Sequence, residues 1–298
     1  MIVASKLFRL LFFCCVLLQS TNDVIGQTKF PEKCLTNHPS EDRYASYSPN
    51  GEWIVFESNR DGNWNIYLMD KTGGQVKQIT QDPNDDRRPS WHPNSKSILF
   101  ESSRKGQTAL FTFNLKSKRI KQINNSSAYG EPMFASFSPN GRHIACSYIV
   151  GENNSHILLL NQKGKIIKTL VANAYRNFYP KWSNDGSKLS YFSRKETANV
   201  DDEIYILDVK TGKESRITDW PKHNFCPSWS NTDDKLVYAT SMKETRPEIF
   251  IRNIDGSDEK RITFNEDGDT LPNWHPFENK ILVTAYRNGN YEICEIEL

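Results

Sequence analysis

The chain has 298 residues, 37% of them hydrophobic, and 38 Lys plus Arg against 36 Asp plus Glu give a formal net charge of +2. Charges of both signs are interspersed, so the clustered positive field that captures nucleic acid or an anionic bilayer is missing, and no nucleic-acid partner is expected. Seven Trp, 16 Phe and 12 Tyr exclude a disordered chain, which is poor in aromatics, and the length allows one large domain or two.

At the N-terminus Lys6 and Arg9 precede an apolar run over residues 10–18. Such a run is too short to cross about 30 Å of hydrocarbon, which takes roughly 20 residues. Residues 1–26 therefore read as a cleavable signal peptide, with Val24 and Gly26 at the cut and Gln27 as the mature start. Cys14 and Cys15 raise lipoprotein anchoring as the weaker alternative, because Phe13 and Cys14 stand where a bacterial lipobox wants a small residue. No later segment is apolar enough to span a membrane. The expected protein is periplasmic or secreted, and its four remaining cysteines meet an oxidising compartment.

From there the chain repeats. An aromatic residue, a Ser or His and a turn recur at Tyr47-Ser-Pro-Asn-Gly, Trp91-His-Pro-Asn, Phe137-Ser-Pro-Asn-Gly, Trp182-Ser-Asn-Asp-Gly, Trp229-Ser-Asn-Thr-Asp and Trp274-His-Pro-Phe-Glu. The aromatics are separated by 44, 46, 45, 47 and 45 residues, a period that marks stacked units. In the first unit, strands are predicted at 44–48, 53–58, 65–70 and 75–80, joined by Pro-Asn-Gly and other polar turns. A meander with two apolar faces needs a neighbour on each side. Six of them, starting near residues 42, 86, 132, 177, 224 and 269, predict an all-β, six-bladed propeller occupying 27–298 as one domain. The repeated aromatics read as filler between blades rather than as sugar-stacking platforms.

The sixth unit ends after its third strand. Lys33-Cys-Leu-Thr followed by Asp42-Arg-Tyr-Ala-Ser-Tyr-Ser-Pro parallels Lys77-Gln-Ile-Thr followed by Asp86-Arg-Arg-Pro-Ser-Trp-His-Pro. Residues 30–36 are therefore predicted to supply the missing strand and close the ring, removing two open sheet edges. That closure sets Cys34 beside Cys294, a candidate disulfide worth about 2–4 kcal/mol. Cys146 reads as a small core residue on a second strand, and Cys226 as a residue before a first strand, without a partner.

The strings Ser46-Tyr-Ser-Pro-Asn-Gly-Glu-Trp-Ile-Val-Phe, Ser58-Asn-Arg-Asp-Gly-Asn-Trp-Asn-Ile-Tyr-Leu-Met-Asp and Lys77-Gln-Ile-Thr resemble the repeat of TolB-type propellers, the PD40 class related to WD40. The resemblance covers about residues 33–298. It implies a propeller exported to the periplasm that binds other envelope proteins. TolB proper carries an α/β domain before its propeller, whereas some 15 residues separate Gln27 from the first blade here, so the resemblance implies a stand-alone TolB-like propeller.

Signals for catalysis are poor: there is no Gly-x-Ser-x-Gly elbow, His-Glu-x-x-His, paired Cys-x-x-Cys or phosphate loop, and no cofactor or metal is expected. His92 and His275 share one repeat position and read as solvated turn residues, while His223 alone lies near a first-strand entrance. The best candidates precede the innermost strands, where connections ring one mouth of the channel: Asp42, Arg43, Asp86, Arg87, Glu131, Asn177, Asn224 and Asp269. Acid and base cluster on blades 1, 2 and 6, which are ring neighbours. Such a mouth suits a partner loop, a sugar or a cation, with Arg matched to carboxylates; the plainer alternative is solvated loops whose acids pair with adjacent Arg. The leading expectation is a non-enzymatic scaffold for an envelope or extracellular protein, the alternative a carbohydrate-active or hydrolytic propeller enzyme using this mouth. Asn124 and Asn153 lie in Asn-x-Ser sequons, which matter where the host glycosylates secreted proteins.

Overall fold

The computed structural model describes residues 30–123, 129–195, 201–219, 222–241 and 246–298. The segment read as a signal peptide and the Asn124 sequon lie outside the described residues. Six four-stranded antiparallel sheets form a ring of blades. Their inner strands are Asp42–Tyr47, Asp86–Trp91, Glu131–Phe137, Asn177–Trp182, His223–Trp229 and Asp269–Trp274. In five blades the strands follow chain order outward, as in blade 1 with Trp53–Ser58, Asn65–Asp70 and Lys77–Gln78. In blade 6 the outermost strand is Glu32–Cys34, paired with Asn290–Glu297, so the N-terminal strand closes the ring as expected. No helix among the described residues is long and apolar enough to cross a membrane.

Middle strands are buried on both faces because each blade is sandwiched between two others: Ile54, Val55 and Phe56 are all fully buried in one run. The repeated aromatics fill the joints. Trp91, Trp182 and Trp229 each donate Nε1–H to the preceding blade's inner strand, at Ser46 O (3.1 Å), Ser136 O (3.3 Å) and Lys181 O (3.0 Å). Burial of the ring drives the joint, and the indole N–H is satisfied across it.

The recurring Ile-Thr of the fourth strand has a defined task. Thr80, Thr218 and Thr263 accept the N–H of Ile66, Ile204 and Ile249 at 2.9 Å and donate to Asn65, Glu203 and Glu248 at the start of the third strand. Thr36 does the same for blade 6, accepting from Ile293 N at 2.9 Å and donating to Glu292 at 2.5 Å. The N-terminal segment thus takes the fourth-strand place atom for atom. A disulfide between Cys34 and Cys294 and a two-pronged Arg287–Glu32 ion pair (2.9 and 2.8 Å) fasten the same seam.

Three expectations change. Cys226 lies within an inner strand, buried and unbridged, rather than before it. His275 is not solvated: it is 2% exposed, edge-on to Tyr47 at 4.5 Å, and its Nδ1 accepts from the backbone N–H of Phe277 and Glu278. Burial holds its pKa below the ordinary value. His92 is likewise half-buried, edge-on to Phe137 at 4.6 Å. The cause is packing onto the next blade's turn: a Cβ at Gly51 or Gly141 would lie 3.3 or 2.9 Å from the His275 or His92 ring, at positive φ. Cys146 is a buried free thiol in the second strand of blade 3.

Candidate functional site

The six inner strands carry a β-bulge at one shared place. The register shifts fall between Arg43/Ser46, Arg87/Ser90, Met133/Ser136, Phe178/Lys181, Phe225/Ser228 and Thr270/Asn273. Inside each bulge sits a non-glycine residue with φ between +49° and +62°: Tyr44, Arg88, Phe134, Tyr179, Cys226 and Leu271. Six such residues in one layer are a built feature, since the left-handed region disfavours side chains and persists only where packing over-determines it. They re-aim side chains across the axis. Tyr44 of blade 1 faces Phe134 of blade 3 with ring centroids 6.3 Å apart, Phe134 meets Tyr179 at 5.5 Å, and these pack with Cys226 and Leu271 to fill the waist of the channel. Two buried carboxylates hold the bulges: Glu57 accepts from Arg88 N and Glu101 from Phe134 N, both at 2.6 Å.

At the mouth the eight candidate residues divide. The side chains of Asp42, Asp86 and Asp269 are fully buried and bound by Arg60 (2.9 Å), Arg104 (2.6 and 2.7 Å) and Arg287 (2.7 Å), each 18 residues further on. Asn177 donates to Ser155 O (2.7 Å) and Asn173 Oδ1 (2.9 Å), and Asn224 joins Glu203 and Thr240. These five are turned into the wall. Glu131 is exposed one residue outside the equivalent place, which Pro132 fills. His223, at the entrance of blade 5, is held by Asp201 (Nε2 to Oδ1, 3.1 Å).

Arg43 and Arg87 remain at the mouth, each partly exposed. Arg43 lies over the Tyr291 ring at 4.1 Å and the Trp64 ring at 5.6 Å; Arg87 covers Trp64 at 4.4 Å. Glu41 and Glu57 pair with them at 2.7 and 2.9 Å, yet the Nε of both side chains is buried with no hydrogen-bond partner. The facing wall is aromatic: Phe134, Phe192 and Phe225 join Arg43 and Tyr291 around a cavity of about 300 Å³. One side of this pocket is cationic and the other apolar. Trp64 and Tyr291 belong to the site although sequence reasoning passed over them. Their shared signal is Gly-Asn-aromatic at Gly62-Asn63-Trp64 and Gly289-Asn290-Tyr291, in adjoining blades 1 and 6.

Burial pushes the Glu101 carboxyl up to about 7, outweighing the Arg88 guanidinium 2.7 Å away. A carboxyl raised in the folded state contributes stability that is complete below its ordinary 4.5 and is lost as pH rises through about 7. The melting temperature is therefore expected to carry a component that increases as pH is lowered from 8 toward 5.5, and that disappears in Glu101→Gln. Calorimetric melts of both proteins across this range check it; an unchanged slope in the variant would assign the titration elsewhere.

Among the described residues the one grouping of three metal-ligating side chains within reach of a common ion is Glu32, Cys34 and Cys294. Both thiols are consumed by the disulfide, so the set does not fit a metal.

Compared with known proteins, the chain matches the family model for the TolB beta propeller domain over residues 25–158 and again over 130–298. An uncharacterized protein of Agrobacterium fabrum is 27% identical over 149 residues, and the chain spans about half the length of this curated relative (50% of this chain, 49% of the relative). Among solved structures, one described as a TolB from Agrobacterium tumefaciens superposes with a TM-score of 0.64 at 25% identity, covering 71% of this chain and 74% of that one. TolB from Acinetobacter baumannii gives 0.65 at 16% identity, over 86% and 63%. An oligogalacturonate lyase from Vibrio parahaemolyticus gives 0.64 at 12% identity over 91% and 94%, a likeness of fold alone.

Proposed function

Since the chain belongs to the TolB β-propeller domain family, we propose that it is an exported, non-enzymatic scaffold that binds an envelope or extracellular protein through the Arg43/Arg87 mouth. The observation that carries this reading is the two-sided pocket. Arg43 and Arg87 are partly exposed and are stiffened by stacking on Trp64 and Tyr291, while Phe134, Phe192 and Phe225 offer an apolar wall beside Arg43. Such a surface suits a partner segment that presents a carboxylate next to an apolar side chain, because the guanidinium supplies charge-assisted donors and the rings supply area. Pre-stacked Arg side chains lose little entropy on binding. The carbohydrate-active alternative draws on acids at the mouth, and of the four candidates Asp42, Asp86 and Asp269 are held by Arg60, Arg104 and Arg287, which leaves Glu131 alone exposed.

The reading is tested by capture from envelope extract, identification of the retained protein, and titration of that purified partner. Arg43→Ala with Arg87→Ala is expected to weaken binding at least tenfold, on the scale of about 1.4 kcal/mol or more for interface Arg side chains. A double variant that melts normally and binds its partner with full affinity would show that the functional face lies elsewhere.

A further inference from the structure

One layer further along the channel, the repeat is broken in a single blade. Register places Ser46, Ser90, Ser136, Lys181, Ser228 and Asn273 at equivalent points just past the bulges. Five are short and uncharged, and blade 4 alone sets an ammonium there. Several neighbours spend their polar atoms across blade joints: Ser90 Oγ donates to Ala135 O (2.9 Å), Ser136 Oγ donates to Pro180 O (2.8 Å), and Asn273 Oδ1 accepts from Tyr47 N (3.1 Å). Ser46 Oγ and Arg88 Nε are different, being buried with no hydrogen-bond partner.

Lys181 has no carboxylate within 4.0 Å among the described residues, and its Nζ lies 4.5 Å from the Tyr179 ring centroid. Ser46, Arg88 and Lys181 line one cavity of about 20 Å³, with no acidic residue in its wall. That is room for one particle the size of a water molecule. The one carboxyl paired with Arg88, Glu101 at 2.7 Å, is spent on that guanidinium, which leaves Lys181 with no acid of its own in this layer. Burial pulls the ammonium down to about 8, so it is still largely protonated at neutral pH. A confined charge beside unmet donors is costly unless a counter-charge joins it. Water would satisfy hydrogen bonds without neutralising the charge, and a carboxylate with its carbon chain exceeds the space.

We propose that the channel holds one small monovalent anion, of the size of chloride, bound by Ser46 Oγ, Arg88 Nε and Lys181 Nζ. The ion ties blade 4 to blades 1 and 2 across the axis and stands apart from whatever occupies the mouth. The probes are sodium bromide and sodium chloride against sodium gluconate, whose anion is too large for the cavity, at equal ionic strength and pH 7. The halides are expected to raise the melting temperature by about 2–4 °C at a concentration roughly tenfold above the dissociation constant, the shift one such site produces in a domain of this size. Crystals grown in bromide are expected to show an anomalous peak between Ser46, Arg88 and Lys181. In Lys181→Met both signals disappear, and in Ser46→Ala a severalfold higher halide concentration is needed for the same shift. Equal melting curves in halide and gluconate, or no bromide between Ser46, Arg88 and Lys181, would overturn the proposal; if Lys181→Met does not fold, the wild-type density and Ser46→Ala decide it.

Discussion

Replacing Asp86 with Ala is expected to lower the unfolding free energy by about 3–5 kcal/mol, the range seen when one member of a buried ion pair is removed. The Asp86 side chain is fully shielded from solvent and receives two hydrogen bonds from Arg104, at 2.6 and 2.7 Å. Arg104 is itself clamped over Phe100 and Phe111, at 5.4 and 5.1 Å, so it cannot swing into water when its partner is lost. Asp82, 3.7 Å from Arg104 Nε, is a weak substitute. Most of the cost is therefore the stranded guanidinium. Arg104→Ala is expected to strand Asp86 in the same way, and the double variant to cost less than the sum, which a double-mutant cycle in denaturant measures directly. Glu131→Ala, at an exposed place beside the equivalent position of blade 3, is the control and is expected to stay within about 0.5 kcal/mol. A loss below about 1 kcal/mol for Asp86→Ala would mean that the repeated pair is ornamental to stability, and that its carboxylate is available for another purpose after all.

That pair also shows which information local sequence carries. The period of the aromatics, the Pro-Asn-Gly turns and the Ile-Thr strands are local signals, and they are enough to number the blades and to place the N-terminal strand in blade 6. Side-chain direction at the channel is different, because it depends on the bulge. Nothing within Arg87-Arg88-Pro89 announces that Arg88 takes a φ of +49°; the Glu57 carboxylate of the preceding blade imposes it by accepting the Arg88 N–H. For this reason Asp42, Asp86 and Asp269 read as mouth residues when aligned on the strand starts, although their carboxylates point into the wall. A partial signal was present: Arg60, Arg104 and Arg287 stand at the same offset of 18 residues from those three acids, blades 3 and 5 lose both members together, and blade 4 replaces the acid with Asn177 while keeping a cation, Lys195, at the offset. Lys181 was legible in a similar way, as the one charged residue in a layer of Ser and Asn. Its importance rests on confinement, which only the assembled ring reveals.

The seam of the ring is a second place where global stability is expected to be sensitive. Changing Cys34 and Cys294 to Ser together is expected to cost about 2–5 kcal/mol, with the larger share arising from the unfolded chain, whose ends are 260 residues apart in sequence and are no longer tethered. The folded variant still has Thr36 on Glu292, the Arg287–Glu32 pair and the strand ladder, so it is expected to fold and to unfold at lower denaturant. Cys34 is exposed while Cys294 is fully buried, which gives a reductant access to the bond from one side. Reduction of the wild type is accordingly expected to reproduce the variant. Opening at the seam would expose the blade 6 edge first, so hydrogen exchange should quicken in residues 32–36 and 290–297 while the middle strands of blades 2, 3 and 4 keep their protection. Uniform quickening around the ring would show that the blades unfold as one unit and that the seam has no separate weakness. An unchanged midpoint on reduction would assign closure to the hydrogen bonds and the Arg287 pair alone, leaving the disulfide without a thermodynamic role.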